Sequence, residues 1–145
     1  DNAFHDDSKN FIIAKKLAQT VIDNFINHLD EVWGTEVSVV YKNLYAGTID
    51  LIGVQDKQLS VIDYKSSYRK KTEEEMREHI LQLAAYAVAH DWQYKTNINS
   101  LIVFLAIRNG EFKKTVISDQ ELDSYKQMWF KRLSMYTKLT EKINA

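Results

Sequence analysis

The chain has 145 residues, 45% hydrophobic and 27% charged, which suits one domain with its own core and is too apolar for disorder. A formal net charge of −1 excludes a protein that coats nucleic acid nonspecifically, but leaves room for an enzyme that grips a few phosphates locally. The lack of cysteine removes disulfides, thiolate zinc sites and iron–sulfur clusters and is compatible with an intracellular setting; no apolar run approaches the roughly 18 residues of a membrane span, and no signal-peptide pattern opens the chain.

Apolar residues at Leu17, Val21, Phe25 and Leu29, flanked by Ile13, Ala14, Ile22 and Ile26, predict a helix from Ser8 to Val32. "WGTE" is expected to break it, with strands following at "EVSVVYK" and "LYAGTIDLIGV". Gly47 and Gly53 in the second strand mark points of close approach by backbone or ligand. "QDKQ" reads as a turn and "LSVIDYKSS" as the third strand. Thr72 and Glu75 form a capping box for a helix carrying "MREHILQLAAYAVAHDW". "NINSLIVFLAIR" is continuously apolar, as for a strand covered on both faces. "FKKTVIS" follows a turn at "NGE", and a second capping box, Ser118 and Glu121, opens a last helix to about Ile143. Its stripe is Leu122, Tyr125, Trp129, Leu133, Tyr136 and Leu139. The order α-β-β-β-α-β-β-α, without repeat or linker, predicts one α/β domain over residues 1–145. The chain starts at Asp1 without an initiator methionine, so a processed or N-terminally truncated piece is expected.

Asp50 in "GTIDLIG" and Asp63 in "SVIDYKSS" are charges set among apolar residues, where charge is costly without a partner. Residues two apart on a strand share a face, so Asp63 and Lys65 project together with Val61 and Leu59, while Ile62 and Tyr64 point the other way. If the strands pair across "QDKQ", Asp50 comes near Asp63, and two such carboxylates repel until a proton or a cation intervenes. Hard oxygen donors suggest Mg²⁺ or Mn²⁺, and such a site suits phosphodiester hydrolysis with Lys65 orienting water or stabilising phosphoryl charge. Asp63 and Lys65 taken alone also describe a solvated ion pair on an edge strand.

The three segments "YAGTIDLIG", "LSVIDYKSS" and "LQLAAYA" together resemble the PD-(D/E)XK nuclease superfamily. The likeness is to its RecB-like branch of phage and mitochondrial genome maintenance exonuclease type, and it covers about Thr35 to Ala89. It implies a restriction-endonuclease-like αβββαβ core, a mixed central sheet flanked by helices, with an extra C-terminal hairpin strand and helix. By position it implies Asp50, Asp63 and the Tyr64 main-chain carbonyl as metal ligands and Lys65 as the catalytic lysine. Glu36 would be a further acidic position with a second-metal or water contact. Gln82 and Tyr86, four apart on one helix face, would face the active site. Ser66, Ser67, Arg69 and Lys70, with Lys71, would meet the DNA backbone. Without the resemblance Tyr86 reads as a core aromatic, Gln82 as unremarkable and Glu36 as an exposed strand residue.

The branch also implies a metal-binding histidine on an upstream helix, in a G-T-x-x-H setting that this sequence lacks. His5, in "NAFHDDS", is a weak substitute, and His28 lies in the first amphipathic stretch. The resemblance thus implies a Mg²⁺- or Mn²⁺-dependent deoxyribonuclease, an exonuclease acting on DNA ends or single strands in replication, recombination or repair. Its partners would be DNA and a divalent ion, without membrane or iron–sulfur cluster. Its setting would be a bacterial or phage-infected cytoplasm or an organelle matrix. The alternatives are a nuclease-fold module that binds nucleic acid or protein without turnover, and a restriction-type endonuclease.

Overall fold

The computed structural model describes residues 2–144, with side chains from residue 9 onward. Helix α1 (Asn2–Asn24) leads through a 3-10 turn (Ile26–His28) into strands β1 (Glu31–Tyr41), β2 (Tyr45–Gln55) and β3 (Gln58–Ser67). Helix α2 (Glu73–Tyr94) crosses over to β4 (Ser100–Ile107), which turns back as β5 (Phe112–Ser118) before helix α3 (Asp119–Asn144). The five strands lie in sequence order, and only β3 and β4 run parallel. A parallel pair needs a long crossover, which is what α2 supplies. The αβββαβ core, the mixed sheet and the added hairpin strand and helix are all present. Among the described residues, no helix is long and apolar enough to cross a membrane.

The β2–β3 turn sets the register on which the site depends. Asp56 and Lys57 both have positive φ, 50° and 65°, the two-residue turn whose twist matches that of the flanking strands. Gln55 therefore pairs with Gln58, and the ladder runs up to Leu51 opposite Ile62. The next step outward brings Asp50 level with Asp63.

The sheet is covered on both faces. On one face α2 lays Ile80, Leu83, Ala84 and Ala87 over Val39, Ile49, Ile52, Val61, Leu101 and Val103. On the other, Leu51, Ile62, Ile102, Phe104 and Ala106 meet Phe25, with Leu17, Val21, Ile26 and Leu29 beside it. All eight residues of β4 are buried, as its unbroken apolar run predicts. At Gly53 the expected close approach of backbone occurs, since a Cβ there would lie 2.7 Å from the Glu31 carbonyl oxygen; at Gly47 the neighbour is instead a side chain, the Tyr86 ring, which a Cβ would overlap.

Several boundaries differ from the expectation. The first helix ends at Asn24, not Val32, and "WGTE" lies inside β1, where the register shifts between Val32 and Gly34. Phe25, Ile26 and Leu29 keep the helical spacing because they face the same core after the helix stops; Phe25 turns inward to stack on Phe104 with ring centroids 5.1 Å apart. Half of the Thr72 box forms: the Glu75 N–H donates to Thr72 Oγ1 at 3.2 Å, but the Glu75 carboxylate pairs with Arg69 instead of turning back. At the last helix the chain enters through Asp119 at φ 53°. The stripe predicted for α3 is buried only near its start, at Leu122, while Tyr136 and Leu139 are exposed. At 1.5 Å per residue a helix of this length spans about 39 Å and outruns the α2 surface it packs against.

Candidate active site

Asp63 is buried and Asp50 half-buried, at adjacent positions of β2 and β3. Burial, then a hydrogen bond and repulsion from Asp63, push the Asp50 carboxyl up to about 7, against smaller downward pulls from the Tyr64 backbone N–H and Lys65. Burial also raises Asp63, but hydrogen bonds from His79 and Asp50, with the positive charge of Lys65, outweigh it and hold that carboxyl below its ordinary value. Two like charges confined together oppose each other's ionisation, and of the pair Asp50 is the acid that holds a proton more readily. Lys65 lies on the Asp63 face as the alternation requires, its Nζ 3.9 Å from Asp63 Oδ2.

A backbone irregularity gives Asp50 its aim. Ile49 and Ile52 are three residues apart yet join the same core cluster, so the alternation slips between them. On β1 the matching residue is Glu36, at φ 48°, and the ladder passes from Thr35–Leu51 to Val37–Ile49 without pairing Glu36 and Asp50. Glu36 is exposed across from Asp50, and its charge, after burial and Asp50, contributes to raising the Tyr64 phenol.

Helix α2 closes the site with a ridge. His79 Nε2 lies 2.6 Å from Asp63 Oδ2. Three residues on is the exposed Gln82, whose Nε2 donates to Tyr86 Oη at 2.9 Å, and Tyr86 rests on Gly47. Gln82 lies off the buried stripe, whereas Tyr86 is half-buried and packs against the core that the stripe covers. The sequence reading missed His79; the signal available was its position on the Gln82–Tyr86 face. His28 sits in the 3-10 turn with Nε2 3.1 Å from the Asp23 carbonyl oxygen. The reading of His5 falls on a side chain outside the described residues.

The basic loop after β3 is partly engaged with the protein itself. Arg69 forms a 2.8 Å ion pair with Glu75 and donates to the Lys70 carbonyl, and Lys70 is 3.9 Å from Glu111. Ser67 Oγ accepts from the Arg69 N–H at 3.3 Å, and Ser66 is exposed. Two depressions meet at Lys65. One of about 80 Å³ is lined by Lys65, Lys71, Glu75 and His79. The other, about 680 Å³, runs between α1 and the end of β3 past Tyr64, Ser66, Ser67, Tyr68 and Arg108, and among the described residues no acidic side chain lines it. There the Arg108 guanidinium stacks 4.6 Å from the Tyr68 ring centroid.

Among the described residues, no three histidine or acidic side chains form a ready-made metal cage. The donor set still suits a hard divalent ion. Two carboxylates that oppose each other's ionisation when alone would both ionise beside a cation, and Mg²⁺ is commonly held by one or two carboxylates with substrate phosphates completing the shell.

Comparison with known proteins agrees with this geometry. The sequence profile of the PD-(D/E)XK nuclease superfamily matches residues 13–144. The chain is 29% identical to mouse mitochondrial genome maintenance exonuclease 1 over 129 residues, 86% of this chain and 38% of that protein. It is 31% identical to the Xenopus tropicalis protein of the same name over 101 residues, 67% of this chain and 29% of that one. The chain thus spans about a third of the length of the curated relatives it matches. A candidate exonuclease of known structure from Eubacterium rectale superposes with a TM-score of 0.62 at 13% identity, over 90% of this chain and 52% of that one, which is a likeness of fold. A profile that runs from the first helix to the last, over a sheet of the expected order, makes the chain a member of the PD-(D/E)XK nuclease superfamily.

Proposed function

We propose that residues 1–145 form one nuclease domain that hydrolyses DNA phosphodiester bonds with Mg²⁺ or Mn²⁺, as an exonuclease on DNA ends or single strands. The observation that carries this reading is the placement of the buried Asp63 carboxylate with Lys65 Nζ 3.9 Å away on the same strand face, beside an Asp50 whose carboxyl is raised by burial and by Asp63. The names of the mitochondrial relatives support exonuclease over endonuclease. Replication, recombination or repair is the setting in which such an activity works, in a bacterial or phage-infected cytoplasm or an organelle matrix.

In this reading Asp50, Asp63 and the Tyr64 carbonyl hold the ion, and Glu36 contacts a second ion or a water. The bound ion supplies Lewis-acid polarisation of the phosphate and lowers the pKa of the attacking water. Lys65, a point charge that is 40% exposed, orients that water or stabilises charge on the phosphoryl oxygens. Gln82 and Tyr86 line the approach, and Ser66, Ser67, Arg69 and Lys70 contact the backbone. For Arg69 and Lys70 this requires exchanging Glu75 and Glu111 for phosphate. The groove beside Lys65, with Tyr64, Tyr68 and Arg108, has the aromatic and cationic groups that a single strand uses.

The test titrates Mn²⁺ and Mg²⁺ against end-labelled single- and double-stranded DNA. Metal-dependent release of nucleotides from ends is expected, reduced more than 100-fold by Asp63→Ala or Lys65→Ala, the scale seen when one transition-state donor is removed. Cleavage by both variants at the parent rate would overturn the assignment, and cutting of a closed circle would make the protein an endonuclease. A binding module without turnover is the competing reading, favoured by the small number of gathered ligands. Any metal-dependent product from purified protein eliminates it.

A further inference from the structure

His79 belongs to none of the motifs by which the chain resembles its family, yet it makes the shortest polar contact to the acidic pair, 2.6 Å from Asp63 Oδ2. Both side chains are largely withdrawn from solvent, 18% and 13% exposed. The contact is built into the fold. His79 and Tyr86 are seven apart on one ridge of α2, about 10 Å along the axis. The Tyr86 ring rests where any side chain at Gly47 would be, so α2 cannot slide along β2 without collision. Below His79 the helix starts at a fixed point, where the Glu75 N–H meets Thr72 Oγ1 and the Met76 N–H meets the Thr72 carbonyl.

We propose that His79 is a positioning residue for the metal-binding carboxylate: it holds Oδ2 of Asp63, fixes that side chain's rotamer, and leaves Oδ1 to a divalent cation once Asp50 gives up its proton. This rests on the reading of Asp50 and Asp63 as metal ligands. A carboxylate ready to bind a cation is ionised and only accepts hydrogen bonds. The proton of the contact therefore lies on His79 Nε2, whose lone pair is unavailable to a metal. The Lys65 Nζ approaches the same Oδ2 at 3.9 Å, so both nitrogens lie on one side of the carboxylate. With no cluster of three ligating side chains among the described residues, affinity depends strongly on how well each carboxylate is oriented beforehand.

The experiment measures Mn²⁺ binding to the full chain without DNA, by titration calorimetry, for the parent, His79→Ala, His79→Gln and Asp63→Asn. Circular dichroism checks that each variant is folded. His79→Ala is expected to weaken binding 10- to 100-fold. His79→Gln, which keeps an N–H donor, should recover at least a tenth of the parent affinity. Electron spin echo spectra of Mn²⁺ on the parent should lack the coupling of a directly bonded imidazole nitrogen. Parent-like affinity in His79→Ala, with binding lost in Asp63→Asn, overturns the positioning role and leaves the site reading intact. A nitrogen coupling that disappears in His79→Ala also overturns it, because His79 is then a ligand. Parent-like affinity in Asp63→Asn sinks the site reading together with this inference. If His79→Ala does not fold, His79→Gln and the parent spectra carry the test.

Discussion

Asp50 is held in a form the rest of the site does not want. Its carboxyl, ordinarily at 3.8, sits at about 7 because of burial and of Asp63 beside it. A group whose pKa is raised on folding stabilises the protein at low pH and loses that contribution as pH climbs through the folded value. The metal-free protein should therefore lose stability from Asp50 between about pH 4 and pH 7. Asp63, shifted the other way, contributes stability above its ordinary value and loses it under more acidic conditions. Since Asp50 is only half-buried, solvent screening reduces the Asp50 effect to about 1 kcal/mol. Urea denaturation at pH 5 and pH 8 checks this: Asp50→Asn should match the parent at pH 5 and exceed it by about 1 kcal/mol at pH 8. Added Mn²⁺ should restore the parent at pH 8 and leave Asp50→Asn unmoved. Parent stability independent of pH over that range would contradict the raised Asp50 carboxyl.

The turn length of the β2–β3 hairpin sets the register up to Leu51 opposite Ile62, the residues that precede each aspartate on the way out from the turn. Its central residues are Asp56 and Lys57, both at positive φ, and only Gly, Asn and Asp adopt that region cheaply. Lys57 keeps its backbone N–H in contact with Asp30 Oδ2 at 3.3 Å, a bond that glycine would preserve. Lys57→Gly should therefore stabilise the protein by about 1 kcal/mol, or about 3 °C in Tm, with DNA cleavage unchanged; calorimetry reads the first and the nuclease assay the second. On the opposite face, the first helix is joined to the sheet chiefly through Phe25, 1% exposed and stacked on Phe104. Phe25→Ala should cost about 3 kcal/mol by denaturant titration. Because Phe25 and the acidic pair lie on opposite sides of the sheet, Mn²⁺ affinity should stay within a few-fold of the parent's.

Across the whole molecule, what the sequence made legible was whatever local periodicity or turn chemistry dictates. The strand alternation put Asp63 with Lys65 and Ile62 with the other core. The apolar run from Leu101 to Ile107 announced a strand covered on both faces. Contacts between elements were harder to read. The spacing through Leu29 looked helical because its apolar side chains share a core, while the backbone had already left the helix at Asn24. The apolar spacing of α3 continues to Leu139, but burial requires a facing surface: Leu122 and Tyr125 meet the core, Trp129 donates to Tyr45 Oη of β2, and beyond it an exposed Arg132–Glu78 ion pair ties α3 to α2. Helical spacing puts His79 on the Gln82–Tyr86 face, but it does not reveal that this residue meets an acid sixteen positions earlier.

The kink at Glu36 has an effect on the far side of β1. That strand is eleven residues long and ends the sheet, with Val32, Trp33 and Val40 open to water; a flat border of that kind invites a neighbouring chain to add on as a further strand. The positive φ at Glu36 and the register shift at Val32 and Gly34 interrupt the line of edge amides and carbonyls, and farther along Gln93 and Tyr94 of α2 engage the Val40 N–H and the Ser38 carbonyl. The distortion that frees Asp50 from its ladder thus also guards the molecule against edge-to-edge aggregation.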